Sequence, residues 1–173
     1  MPTPTAGFPY MATGWVGEYY ANPDLQGSPA LVRQDSTIGF EWGSAAPAPG
    51  LPDEGFSVRW RQAARFEEGL YDFHATMDDG MRVYVDGVIV IDEWRDEAER
   101  TVTASRHLSA GLHELQVEYY DRRHVAVANL WWERNRVYPN WKGVYWANRE
   151  LRGSPSLIRD DAHLAALVAY AED

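Results

Sequence analysis

At 173 residues, 45% of them apolar, the chain is sized for one domain with a substantial core, or for one domain plus a fragment of another. Its formal charge of -10 disfavours nucleic acid and anionic membrane as partners, and no run approaches the roughly 20 apolar residues needed for membrane insertion as a spanning helix. The absence of cysteine excludes disulfides and thiolate metal sites.

Residues 1–13 read as a tail. The opening Met1-Pro2-Thr3-Pro4-Thr5 has neither the basic stretch nor the apolar run of a signal peptide, so any export would be directed by residues outside this sequence. The aromatic load, 8 Trp, 10 Tyr and 5 Phe, favours strands. Trp15, Tyr19 and Tyr20 look like anchors of an edge segment, followed by a turn at Asn22-Pro23-Asp24. Ile38–Trp42 is strand-like, and a Pro/Gly-rich connection covers Ala46–Pro52. Phe56-Ser57-Val58-Arg59-Trp60 alternates apolar and polar, as a half-buried strand does. Leu70–Ala75 is the next strand. Met81–Val85 and Val88–Ile91 flank Asp86-Gly87, a two-residue hairpin signal because both turn positions need positive φ. Thr101–Ala104, Gly111–Tyr120 and Ala126–Trp132 complete the run, with apolar residues alternating from Leu115. Many short strands with turns between them predict an antiparallel β-sandwich or a barrel.

The strongest internal pattern is a repeat. Residues 15–35 read WVGEYYANPDLQGSPALVRQD and residues 141–161 read WKGVYWANRELRGSPSLIRDD. Trp15, Gly17, Tyr19, Ala21, Asn22, Leu25, Gly27, Ser28, Pro29, Leu31, Arg33 and Asp35 all recur 126 positions on. A period this long indicates tandem domains, since solenoid repeats run about 20–50 residues. The expected organisation is a domain over 14–137 and, over 138–173, a partial second repeat or C-terminal extension of unassigned structure. Ala162–Val168 reads as more helical than its counterpart.

Together these segments resemble the PA14 domain, a β-sandwich. The resemblance covers about 14–134. It rests on Trp15–Tyr20 with Leu25 and Gly27, Phe40–Gly43, Phe56–Trp60, Gly69–Phe73, Asp78–Gly87 with Ile91–Trp94, and Ala110–Tyr120 ending in Leu130-Trp131-Trp132. PA14 domains accompany glycosidases, adhesins and toxins, and some bind sugars through calcium. The resemblance therefore implies an all-β, non-catalytic carbohydrate-binding module of a larger exported protein, extracellular or at the cell surface. Its partners would be a glycan or cell-surface polysaccharide and neighbouring domains of the same chain. The alternative is a structural or assembly spacer in a tandem array, which the repeat favours.

The resemblance also implies a site. Asp78 and Asp79 are similar to the paired aspartates that hold calcium in the sugar-binding members, and calcium takes six to eight hard oxygens. Asp121 lies in the second loop of that shell, which here reads Asp121-Arg122-Arg123-His124-Val125-Ala126. Two arginines are poor neighbours for a dication; Arg122 and Arg123 suit an acidic sugar or a salt bridge to the acidic turn. Asp-Asp-Gly is equally an ordinary turn. Of the adjacent Trp131 and Trp132, one points inward and the other outward, and Trp132 and Trp94 are the aromatic candidates for stacking on a sugar. Catalysis finds little support. There is no zinc-binding His pair, phosphate loop or nucleophile elbow, and the carboxylate pairs Glu67-Glu68 and Asp92-Glu93 read as acidic turns.

Overall fold

The computed structural model describes residues 14–136 and 138–162. In chain order the strands are β1 (Trp15–Tyr20), β2 (Leu31–Asp35), β3 (Ile38–Gly43), β4 (Phe56–Phe66), β5 (Gly69–Asp78), β6 (Gly80–Val85), β7 (Val88–Glu93), β8 (Arg100–Leu108), β9 (Gly111–Asp121), β10 (Ala126–Arg134), β11 (Trp141–Tyr145) and β12 (Leu157–Asp161). A six-stranded sheet in the order β2-β1-β4-β9-β6-β7 faces a four-stranded sheet in the order β3-β10-β5-β8, and every pairing is antiparallel. This is the expected all-β antiparallel sandwich. The helical reading of Ala162–Val168 falls almost wholly outside the described residues.

Alternation along each strand builds the core. Val58 and Trp60 of β4, Leu115, Val117 and Tyr119 of β9, and Val83 and Val85 of β6 point inward from one sheet. Phe73, Ala75 and Met77 of β5 and Ala126, Ala128 and Leu130 of β10 meet them from the other. Each large side chain so buried is worth about 1.5–3 kcal/mol of transfer free energy. The rings interlock, with Trp42 stacked against Phe40 at 4.7 Å and edge-on to Phe56 at 5.4 Å.

One carboxylate lies inside this aromatic layer, and its partners explain why. Asp35 accepts the Tyr19 hydroxyl at 2.7 Å, the Trp60 indole N–H at 2.8 Å and the Arg33 Nε at 2.7 Å. A buried charge is tolerable when it is paired and hydrogen-bonded. Residue 17 must be glycine, because a Cβ there would lie 2.7–2.9 Å from Asp35, Tyr19 and Trp60.

The Asp86-Gly87 turn has φ of 52° and 73°, as the hairpin signal required. Asp86 also ties this turn to β9, accepting the Glu114 amide at 3.0 Å and bonding His113 Nδ1 at 2.6 Å.

The segment after β10 is a β-hairpin. β11 and β12 pair from Trp141↔Asp161 to Tyr145↔Leu157, the register of Trp15↔Asp35 to Tyr19↔Leu31 moved on by 126 residues. It packs against the first unit: Lys142 pairs with Glu133 on β10, Arg152 pairs with Glu99 at 2.9 Å, and Ser154, Pro155 and Ile158 share a cleft with Trp131.

Candidate functional site

The end of the sandwich where β5 turns into β6 gathers most of the expected residues. Asp78 ends β5, Gly80 begins β6, Asp121 ends β9 opposite Phe56, and Val127 on β10 pairs with Asp78. The β5–β6 turn and the β9–β10 loop therefore lie side by side. The Asp78–Asp79 peptide bond is cis. The Asp79 carboxylate accepts the backbone amide of Arg122 at 2.7 Å, and the Asp79 carbonyl accepts Arg100 Nη1 at 2.9 Å. The Asp78 carbonyl accepts the Tyr119 hydroxyl. A Cβ at residue 80 would strike the Tyr120 ring, so glycine is required where the turn enters β6.

Asp121 is the unusual group. Its side chain is 0% exposed, and neither carboxylate oxygen has a hydrogen-bond partner. Burial raises its pKa to about 6; the Gly55 amide nearby opposes the rise without completing a hydrogen bond, and Asp79, Glu54 and Asp78 reinforce it. Asp78 is also pushed up, first by burial and then by Asp79 beside it. Tyr119 rises well above its ordinary value through burial and the same three aspartates. Of the carboxylates gathered at this pole, Asp121 is the one whose buried oxygens lack a donor among the described residues. Among the described residues, no group of three or more His, Cys, Asp or Glu stands close enough to hold a metal ion by itself. A cation here would draw on backbone or ligand oxygens as well.

Around the carboxylates lies a rim that the sequence reading did not assemble. Tyr120 donates to Asp96 at 2.6 Å and packs edge-on to Trp94 at 4.6 Å, while the Arg82 guanidinium covers the Trp94 ring at 4.5 Å. Arg122 pairs with Asp96 at 3.3 Å. Glu54 accepts the His124 amide at 2.9 Å, and His124 has a φ of 78°. Glu54, Asp96, Arg100 and Tyr120 reach this pole through pairings distant in sequence; only their polar or aromatic type marked them. Trp94 is held between Arg82 and Tyr120, so it reads as wall before platform. Arg123 is exposed and forms no ion pair among the described residues.

Trp132 is not at this pole. It pairs with Phe73 along β10 and packs inward against Trp15 at 6.3 Å, Phe66 at 5.6 Å and Phe73 at 6.0 Å. It is half-buried there and, with Trp131, lines the cleft that Ser154, Pro155 and Ile158 share, away from the aspartates it was expected to accompany. Trp131 is the outward member, stacked on His74 at 3.9 Å.

The opposite end carries a Ser–His–Asp arrangement that invites a catalytic reading. His113 Nδ1 meets Asp86 at 2.6 Å, and Nε2 lies 3.4 Å from the Ser109 hydroxyl. Nε2 is closer to the Ser109 carbonyl, at 3.0 Å. Both ring nitrogens thus face acceptors. The Asp86 bond and then the Ser109 carbonyl raise the pKa of His113. Nε2 is engaged by the Ser109 carbonyl rather than by the hydroxyl a general base would have to activate, so the trio fastens two turns together.

Residues 11–144 match the PA14 domain family. The chain is 36% identical over 123 residues, 69% of its length, to the anti-sigma-I factor RsgI3 of Acetivibrio thermocellus, and it spans only 19% of that protein. Among solved structures, an anti-sigma factor domain-containing protein superposes with a TM-score of 0.67 at 28% identity, over 87% of this chain and 60% of that one. A PA14 sugar-binding domain from an RTX adhesin superposes with a TM-score of 0.58 at 17% identity, over 72% of this chain and 91% of that one, a likeness of fold. These findings correct the expected extracellular or cell-surface location. That expectation took adhesins and toxins as its pattern, whereas similar proteins bear the names of anti-sigma factors.

Proposed function

The chain belongs to the PA14 domain family, and from that membership we propose that it is a non-catalytic carbohydrate-recognition domain of a larger protein, taking a glycan at the pole of Asp78, Asp79 and Asp121. The observation that carries this reading is the buried, partnerless carboxylate of Asp121 beside two further aspartates. Such a group is costly unless a ligand completes it. Calcium, which takes six to eight oxygen ligands, suits carboxylates of this kind: Asp121 with Asp78 or Asp79 would supply part of the shell, and backbone carbonyls and the vicinal hydroxyls of a sugar would have to supply the rest. Arg123, exposed beside them, suits an acidic substituent on the glycan. The sugar-binding title of the RTX adhesin domain supports the ligand class. The likeness to an anti-sigma-I factor supports a regulatory parent protein for the domain, rather than an adhesin.

The test is a glycan array probed with calcium, with chelator, and with Asp121→Asn and Asp79→Ala. We expect binding that needs calcium and both aspartates. Binding that survives chelator and both substitutions would remove the metal and move the site elsewhere on the domain. A folded, calcium-supplied protein that retains no glycan would overturn the recognition reading. That result would leave an assembly unit, which the packing of the second-repeat hairpin on the first unit favours.

A further inference from the structure

The second-repeat hairpin rests on the outer face of the four-stranded sheet and holds together without it. A tyrosine–aspartate–arginine lock closes it from within: Tyr145 donates to Asp161 Oδ2 and Arg159 Nε donates to Asp161 Oδ1, each at 2.5 Å. What attaches it to the sheet is largely polar. Lys142 pairs with Glu133 Oε1, and Arg152 pairs with Glu99 at 2.9 Å. The turn at Gly153 lies over Asn129, where an added Cβ would stand 3.6 Å from Oδ1. The fit is imperfect there. Asn129 is 3% exposed, and its Nδ2 has no hydrogen-bond partner among the described residues. A buried donor left unmet counts against the docked arrangement.

His74 stands at this joint. On β5 it is opposite Trp131 of β10 and Thr103 of β8, and its ring stacks on Trp131 at 3.9 Å. Nδ1 meets Thr103 Oγ1 at 2.9 Å. Nε2 is buried without a hydrogen bond, yet it lies 3.5 Å from Glu133 Oε1, the same oxygen that Lys142 holds. The charged groups acting on the ring are Glu133 of β10, Lys142 of β11 and Asp72 of β5 itself. Asp72 is already engaged by Ser105 and Asn135, and β8 offers the ring only the neutral Thr103 and Ser105. One carboxylate oxygen thus faces two basic groups, and while His74 is neutral only Lys142 claims it as a cation.

We propose that His74 is an acid-sensitive release for the joint between the first unit and the hairpin: the protonated ring takes Glu133 Oε1 as its partner, Lys142 loses its hold, and the hairpin leaves the sheet as one piece. The direction follows from what surrounds the ring. Burial disfavours a cation at His74, Glu133 and Asp72 favour it, and Lys142 disfavours it, with burial prevailing. Undocking takes Lys142 away and opens the Glu133 side to water, while Glu133 and Asp72 stay. Protons therefore bind the undocked form more tightly, so docking is complete above about pH 6.5 and weakens as pH falls below it. The remaining ion pair, Arg152 with Glu99, faces solvent on both sides, and pairs of that kind hold weakly. The release would set how consecutive repeats are oriented. It shares no residue with the aspartate pole and does not rest on glycan binding.

The chain has no cysteine, so Val32→Cys and Leu157→Cys, both at exposed positions, place one spin label on the first unit and one on the hairpin. We expect one narrow label-to-label distance at about pH 8 and the loss of about half of that population by about pH 5.5. His74→Gln should keep the narrow distance at both pH values, and Glu133→Gln should lose it at both. The proposal is overturned if the distance does not change on acidification, if the loss persists in His74→Gln, or if Glu133→Gln still docks. A titration of the His74 ring by NMR covers the case in which either variant fails to fold. In Lys142→Met the ring should take its proton about half a pH unit higher than in the native chain, and an unmoved titration overturns the proposal.

Discussion

The side chain of Asp79 holds the backbone amide of Arg122 at 2.7 Å, which joins the acidic turn to the arginine-bearing loop. The bond spans segments 43 residues apart in the sequence. Replacing Asp79 by alanine should leave the amide without its acceptor, at a cost of about 1–2 kcal/mol. Hydrogen exchange at Arg122–Val125 should quicken about tenfold, while the amides of β4 stay protected. Unchanged exchange in the loop would show that other contacts hold it.

Asp121 gives a prediction with an unusual sign. Its folded pKa, about 6, lies above its unfolded value near 3.9, so its stabilising contribution is complete below the unfolded value and is lost as pH rises through about 6. At pH 7 without metal the ionised group opposes folding. Asp121→Asn should therefore raise thermal stability at pH 7 in chelator, by about 1–2 kcal/mol; the full ~3 kcal/mol of two pKa units is reduced by solvent near this open end. The same variant should lose any stabilisation by calcium. A fall in melting temperature at pH 7 in chelator would contradict this account.

How much of this was legible beforehand depends on the range of the interaction. The Asp86-Gly87 turn and the alternation of Leu115, Val117 and Tyr119 are local, and each appears in the structure as read. The neighbourhood of Asp78, Asp79 and Asp121 came from a resemblance, because no local rule joins residues more than 40 positions apart. Trp132 was misplaced for a physical reason. Alternation separates it from Trp131 but does not say which of the two faces the core; the meeting of β10 with Trp15 and Phe66 decides that. Glu54 and Asp96 lay in loops whose paths no periodicity specifies.

Asp35 should be the most sensitive polar position in the core. Removing its carboxylate by Asp35→Ala leaves the Tyr19 hydroxyl, the Trp60 indole and the Arg33 guanidinium without their acceptor. The expected cost is about 3–5 kcal/mol, read from the urea midpoint. Trp60→Phe, which keeps most of the packing and loses one donor, should cost roughly half as much. Equal costs would mean that packing alone sets the stability of this layer.

The His113–Asp86 link makes stability depend on pH. His113 is raised, so its contribution is complete below about 6.5, the unfolded value, and is lost as pH rises through the higher folded value. Asp86 is lowered, because the bonds from His113 and the Glu114 amide outweigh burial, so its contribution is present above about 3.9 and lost as pH falls through the lower folded value. The difference in melting temperature between the native chain and His113→Gln should peak between about pH 4 and 6.5 and shrink by pH 9. A gap that widens with rising pH would contradict the upward shift of His113.

The hairpin formed by β11 and β12 keeps its tyrosine–aspartate–arginine lock with no third strand paired to it among the described residues. Its twin at the head of the chain carries the same lock wholly within residues 15–35, ahead of β4 in the sequence. That sets an order of events: a short-range loop closes first at small entropic cost, and the slower pairing of β4 with β9, whose partners run from Phe66↔Gly111 to Phe56↔Asp121, follows it.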